Sequence, residues 1–294
     1  SRLSDRNDPG HQRHDCEIQM SAATLNDVFK PALEGHYAIA GLVVLGWEDA
    51  RLYVEAADET GLPIILHAGP ACRRHTPVQI LGKMFRHLAE QSRVPIVCHI
   101  DHAKTYEECA AALDAGFTSL MIDGSALPYD ENVALTRRVV ELARPHGLSV
   151  EGEIGAVGYS GGAASSLTDA DEAGRFARDT GVDALAVSVG NLHLQTEHAA
   201  IINRDLLSRI EAVTTIPLVI HGGSGVDPAV RRQLSKETRV KKFNIGTELR
   251  QEFGRSLRAH LAAHPTEFDR IKILTGTVDP MRHLAAKIIR DLGP

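Results

Sequence analysis

Cysteine is scarce in this sequence and unpaired in pattern. Cys16, Cys72, Cys98 and Cys109 form no C-x-x-C unit and no regular framework. That excludes a disulfide-stapled secreted scaffold and implies a reduced, cytoplasmic setting. Long apolar runs are absent too: nothing approaches the roughly 18 residues of a membrane span, and no signal-peptide pattern opens the chain. A surplus of basic charge is also missing. The formal net charge of −6 leaves no electrostatic footprint for nucleic acid or an anionic membrane. It does not exclude small anionic substrates, whose binding depends on local fields. Internal motif repeats and linker-like stretches are lacking as well, so nothing divides the chain.

What is present suits one α/β unit. The 294 residues are 43% hydrophobic and 24% charged, ordinary values for a globular protein able to bury a large core. A (β/α)8 barrel runs to about 250 residues before insertions. Residues 1–19 stand apart: they are polar, unperiodic and rich in Asp, Arg and His. We read them as a disordered or appended tail ahead of Met20, with His11 and His14 as solvated tail residues. Residues 20–294 are expected to form the single barrel domain.

Within that span, short β-branched or aliphatic runs alternate with longer amphipathic stretches. The runs are Ala38–Val44, Pro63–Leu66, Pro95–His99, Ser119–Ile122, Ser149–Glu153, Ala184–Ser188, Pro217–Ile220 and Val240–Asn244. Near-continuous apolar runs suit parallel strands covered on both faces. Helical patterns cover Trp47–Thr60, Tyr106–Ala115, Asn132–Ala143, Asp169–Asp179 and Asp205–Val213. A further pattern, Thr24–Glu34, would cap the barrel's foot, and two more, Glu267–Leu274 and Pro280–Asp291, would follow the eighth unit. Eight βα units in this order predict a closed barrel, with an open doubly wound sheet as the alternative.

Barrel active sites lie at the C-terminal ends of the strands, and polar residues gather there. The ends carry His67, then His99-Ile-Asp101-His102, Asp123-Gly-Ser125, Glu151-Gly-Glu153, Asn191-Leu-His193, His221-Gly-Gly-Ser224-Gly and Asn244-Ile-Gly-Thr247. Side chains so costly to bury would scatter over both ends by chance. Their convergence on one rim reads as a catalytic, metal-binding constellation. His67 and His99 read more readily as hydrogen-bonded structural histidines. Glu151 and Glu153 share one strand face and would otherwise pair with a barrel Lys or Arg. Gly222, Gly223 and Ser224, with the Asn244–Thr247 segment, could be simple turns. They also expose backbone N–H groups to an anion after strands seven and eight, the usual phosphate site of barrels.

These same segments carry a family resemblance that runs from about Met20 to the end. "VPIVCHIDHAKTYEEC", "GFTSLMIDGSALPYDENVALTRRVV", "VEGEIGAVG", "IPLVIHGGSG" and "FNIGTEL" resemble, in order, the motifs of the class II ketose-bisphosphate aldolases, the fructose- and tagatose-bisphosphate aldolase family. The resemblance implies a carbon–carbon lyase with Zn2+ on His102, His193 and His221. Three neutral imidazoles leave zinc an open position, as a catalytic site needs. It implies Asp101 as acid/base, and Asp123 and Glu153 as residues that help hold the metal in an alternative position. Gly222, Gly223, Ser224, Asn244 and Thr247 fall at anion-binding turns. The expected reaction is reversible retro-aldol cleavage of a ketose phosphate or sugar acid, with the metal stabilising the enediolate. A lyase on an unphosphorylated keto or hydroxy compound, or a binding homologue without turnover, are the alternatives. A homodimer or homotetramer is expected on the same ground.

Three departures stand out. Leu42-Val43 replaces the family's "FN" in the first strand. Leu194 replaces a glycine after the second zinc histidine, and no lysine follows within Gln195–His198. The loop Gly158–Ser166 is short and contains no carboxylate, where relatives carry a glutamate credited with proton transfer. Tyr159 is the residue there that could move a proton or close over substrate. The metal residues are retained while the substrate envelope is changed.

Overall fold

A computed structural model describes residues 22–159, 161–162 and 164–294; the tail assigned to residues 1–19 lies outside them. Eight parallel strands close into a barrel: β2 (Ile39–Val43), β3 (Ile64–Ala68), β4 (Ile96–Ala103), β5 (Ser119–Ile122), β6 (Ser149–Ile154), β7 (Ala184–Val187), β8 (Leu218–Ile220) and β9 (Val240–Ile245). Each pairs with its neighbours, and the β2–β9 and β4–β5 pairings complete the ring. A two-residue strand, β1 (Ala22–Ala23), adds to the first residues of β4 at the foot. All eight expected runs are barrel strands, so the open-sheet alternative is excluded.

The inner face is layered by the period of two. Ile39, Ile65, Val97, Met121 and Val219 form the lower layer and pack on the helix Leu25–Glu34. That helix starts at a capping box between Thr24 and Asp27 and plugs the foot with Leu25, Val28 and Phe29. Two residues further along the strands the interior turns polar, at His67, His99 and Glu151. The outward faces pack against the surrounding helices in a second, larger apolar cluster.

The helices expected at Trp47–Thr60 and Tyr106–Ala115 form with those bounds. Helices Val78–Gln91 and Pro228–Glu237 were not anticipated. The two expected C-terminal patterns are one continuous helix, Arg270–Leu292, with Pro280 inside it. Proline there removes one backbone hydrogen bond at a cost of about 3 kcal/mol. Burial of Met281, Ala285, Ile288, Ile289 and Leu292 on the same helix outweighs that, at about 1.5–3 kcal/mol for each large apolar side chain.

Candidate active site

The C-terminal mouth of the barrel holds a cavity of about 340 Å³. Val43, Asp101, His102, Tyr159, His193 and Gly222 are among the residues lining it.

Three imidazoles converge beside it: His102 from β4, His193 from the loop after β7 and His221 just after β8. Ring centroids lie 5.2 Å apart for His102–His193, 4.6 Å for His102–His221 and 5.6 Å for His193–His221. One nitrogen from each falls within 4.8 Å of the others. Carboxylates hold the outer nitrogens of two of the rings. His102 Nδ1 is 2.7 Å from Asp123 Oδ2, and His221 Nε2 is 3.0 Å from Glu151 Oε1. The opposite nitrogens, His102 Nε2 and His221 Nδ1, are buried and have no hydrogen-bond partner. A buried polar atom without a partner is costly, and histidine ligands are commonly oriented by a carboxylate behind them. The donor set therefore fits a divalent metal with one side open to the cavity.

Asp101 and His102 are adjacent, so regular alternation would send them to opposite faces. They share the cavity because His102 adopts φ 52° and the β4–β5 register shifts between Ile100 and Ala103. Such irregularities re-aim side chains near active sites and cost about 1–3 kcal/mol. Asp101 accepts a 3.3 Å hydrogen bond from Asn244 Nδ2, and His67 Nδ1 lies 3.3 Å from its Oδ1. Burial pushes the Asp101 carboxyl up. The neighbouring His102 and His67 outweigh that and hold it well below the usual carboxylate range, which keeps it ionised. His193 is lowered to about 3, first by burial and then by the other two rings, so it is neutral at pH 7.

Asp123 Oδ2 also takes Lys104 Nζ at 2.5 Å, and His102, Asp123 and Glu153 lie close enough to share an ion. Glu153 Oε2 has no hydrogen-bond partner and stands 3.6 Å from His102 Nδ1 and 3.9 Å from His221 Nδ1. Beneath the metal-type cluster, Lys242 is fully buried with Glu151 at 2.5 Å and His99 Nε2 at 3.2 Å. His99 Nδ1 pairs with Ser119 at 2.7 Å. His67, His99 and Asp101 also lie close enough to share an ion, but Lys242 already brings a cation to that group. Sequence reasoning passed over Lys242. A lysine within the apolar run "VKKFNI" is the signal that would have found it.

The two glycine turns meet at the cavity's other side. Ser224 Oγ accepts hydrogen bonds from the backbone N–H groups of Gly246 and Glu248, at 3.2 and 3.3 Å, and so ties the turns together. Gly222, Ser224, Asn244 and Thr247 line the cavity, whereas Gly223 packs behind it on the backbone of Asn244. Gly222 has φ 62°, and a Cβ there would meet the Leu192 carbonyl at 2.0 Å, so glycine is required. Leu194 takes the positive φ (58°) that the relatives' glycine suggests and projects a half-exposed side chain into the cavity wall. Tyr159 stacks on His193 at 4.8 Å between centroids, and the His193 N–H donates to the Gly158 carbonyl beside it at 2.8 Å. Arg74 and Arg250 add positive charge to the lining; neither was singled out from sequence.

Comparison with known proteins agrees with this arrangement. The family model "Fructose-bisphosphate aldolase class-II" matches residues 23–294. The fructose-bisphosphate aldolase of Geobacillus stearothermophilus is 32% identical, covering 93% of this chain and 98% of that protein. The 6-phospho-5-dehydro-2-deoxy-D-gluconate aldolase of Bacillus licheniformis is 33% identical, covering 93% and 96%. Among solved structures, the YdjI aldolase of Escherichia coli K12 superposes with a TM-score of 0.81 at 29% identity, covering 92% of this chain and 97% of that one. With its closed barrel, its rim of three histidines and these relatives, the chain belongs to the class II fructose-bisphosphate aldolase family and is a carbon–carbon lyase.

Proposed function

We propose that the enzyme is a zinc-dependent aldolase that reversibly cleaves a phosphorylated ketose or sugar acid other than fructose 1,6-bisphosphate. The observation that carries this reading is the pair of unpartnered buried nitrogens, His102 Nε2 and His221 Nδ1, facing His193 beside Asp101. His102, His193 and His221 would hold the ion. When bound, it supplies Lewis-acid polarisation of the substrate carbonyl. Asp101, ionised, takes the proton from the hydroxyl on the carbon that becomes the aldehyde, while the C–C bond breaks and its electron pair passes to the carbonyl-bearing fragment. Asn244 and His67 hold Asp101 in place for this. Tyr159, its phenol held protonated chiefly by burial, is our candidate to supply a proton to that fragment in place of the missing loop carboxylate.

Gly222, Ser224, Asn244 and Thr247 are proposed to bind one anionic group of the substrate, with backbone N–H donors at the start of the helix Thr247–Ala263. The Geobacillus and Bacillus relatives bear phosphorylated-substrate names, one a bisphosphate and one a phosphorylated sugar acid. Leu194 and the apolar Val43 reshape the wall, which favours a substrate different from the bisphosphate. Oligomerisation as a homodimer or homotetramer is proposed on the family's ground alone. The test is a chelator-sensitive retro-aldol assay of zinc-loaded enzyme across ketose phosphates, phosphorylated sugar acids and their unphosphorylated forms. Turnover confined to unphosphorylated compounds, or none that chelation abolishes, would defeat the proposal.

A further inference from the structure

Arg73 belongs to the short helix Pro70–His75 that follows β3, and it does not line the cavity. Its guanidinium reaches the backbone of three residues. Nη1 donates to the carbonyls of Ala68 at 2.6 Å and Asp101 at 2.5 Å. Nη2 donates to the carbonyl of His102 at 3.2 Å and lies 3.7 Å from Glu108 Oε1. The side chain is only 10% exposed.

The place it grips is the irregular one. In the pairing of β4 with β3 and β5, Ile100 and Ala103 have Cα partners, while Asp101 and His102 have none. At this step His102 takes its positive φ. Carbonyls outside the ladder still need donors when buried, and one planar fork serves both. The residues just before Arg73, Gly69 to Cys72, line the cavity, and Gly69 lies against Asp101, whose Oδ2 would be 3.5 Å from a Cβ at that position.

We propose that Arg73 is a positioning residue: it holds the bent end of β4 so that Asp101 and His102 both face the cavity, and it locks the cavity wall to that end. Arg73 itself never meets substrate. A lysine cannot replace it, because an ammonium is a point donor without the rigid planar fork that spans separated acceptors. The inference rests on the roles proposed above for Asp101 and His102.

The experiment measures zinc affinity of the full chain, stripped of metal, by competition with a chromophoric chelator, and reads folding by circular dichroism. The variants are Arg73→Lys, Arg73→Gln and His102→Ala, with Arg86→Gln, on the outer helix Val78–Gln91, as reference. Arg73→Lys and Arg73→Gln are expected to fold, to lose about 10- to 100-fold in zinc affinity, the usual range for groups supporting a ligand, and to lower kcat with KM retained. Arg86→Gln is expected to match the parent. Should Arg73→Gln fail to fold, Arg73→Lys, which keeps the charge, decides alone. Parental zinc affinity in folded Arg73→Lys, with or without a lower melting temperature, overturns the proposal if His102→Ala loses zinc. Parental affinity in His102→Ala instead overturns the metal assignment, and the proposal with it.

Discussion

At the scale of single residues, Asp101 is both the most legible and the most constrained position. The sequence "HIDH" puts a carboxylate beside a metal-type histidine, and the structure holds that carboxylate ionised among His102, His67 and Asn244. Asp101→Asn keeps the shape and the Asn244 contact while removing the base. It is expected to leave zinc content unchanged and to cut kcat by about 10² or more, measured on the best substrate from the retro-aldol panel. Near-parental kcat would remove Asp101 from the mechanism. The left-handed turn at His102 was not legible, because no residue type in "HIDH" demands positive φ. Nor was Arg73, whose function is to serve backbone carbonyls that no motif encodes. Lys242 was legible in principle, since a lysine in an apolar strand must find an anion, and Glu151 is that anion.

At the scale of elements, the barrel strands were readable because each is an apolar run between turn residues, and their polar ends broke the pattern on one rim only. The helices Trp47–Thr60 and Tyr106–Ala115 were readable from amphipathic spacing. The helix Val78–Gln91 escaped because Gly82 and two preceding prolines, Pro70 and Pro77, look like breakers. Its glycine has a packing reason instead. A Cβ on Gly82 would stand 2.4 Å from the carbonyl oxygen of Ala115 and 2.7 Å from its Cβ, so Gly82 lets this helix approach Tyr106–Ala115 closely. Alanine favours helix by about 1 kcal/mol over glycine. Gly82→Ala is nevertheless expected to destabilise the fold, by about 1–3 kcal/mol for overpacking, read as a lower urea midpoint. A raised midpoint would show that the two helices can part at little cost. The C-terminal helix teaches the converse: Pro280 reads as a break, yet burial of one continuous apolar face carries the helix through it.

At the scale of the whole molecule, the buried rim makes stability depend on pH. His67 is lowered to about 4, first by burial and then by Lys242, and His193 to about 3. Unfolded, each would bind its proton near 6.5. The unfolded chain thus binds more protons between those values, and stability present above about pH 6.5 is lost as pH falls toward 4. The depressed carboxylates Asp101, Asp123 and Glu151 add a further loss as pH falls through and below about 4. His102, where Asp101 and Asp123 overcome burial and raise it to about 9, acts oppositely, its contribution being lost as pH rises through that value. Urea midpoints of the metal-free protein are expected to fall steadily from pH 7 to pH 4; a flat profile there would contradict the buried, neutral state of His67 and His193. The changed wall at Val43, Tyr159 and Leu194 has its own consequence. Fructose 1,6-bisphosphate is expected to be cleaved with kcat/KM below about 10⁴ M⁻¹s⁻¹, the lower end of ordinary efficiency, and a higher value would make those departures neutral. The central claim is that three histidines at separate strand ends build one catalytic metal site. Its most direct measurement is the zinc content, by elemental analysis after stripping and reloading, of the parent and of His102→Ala, His193→Ala and His221→Ala. The expected result is one zinc per chain in the parent and a sharp loss in every variant; full zinc in all three variants would contradict it.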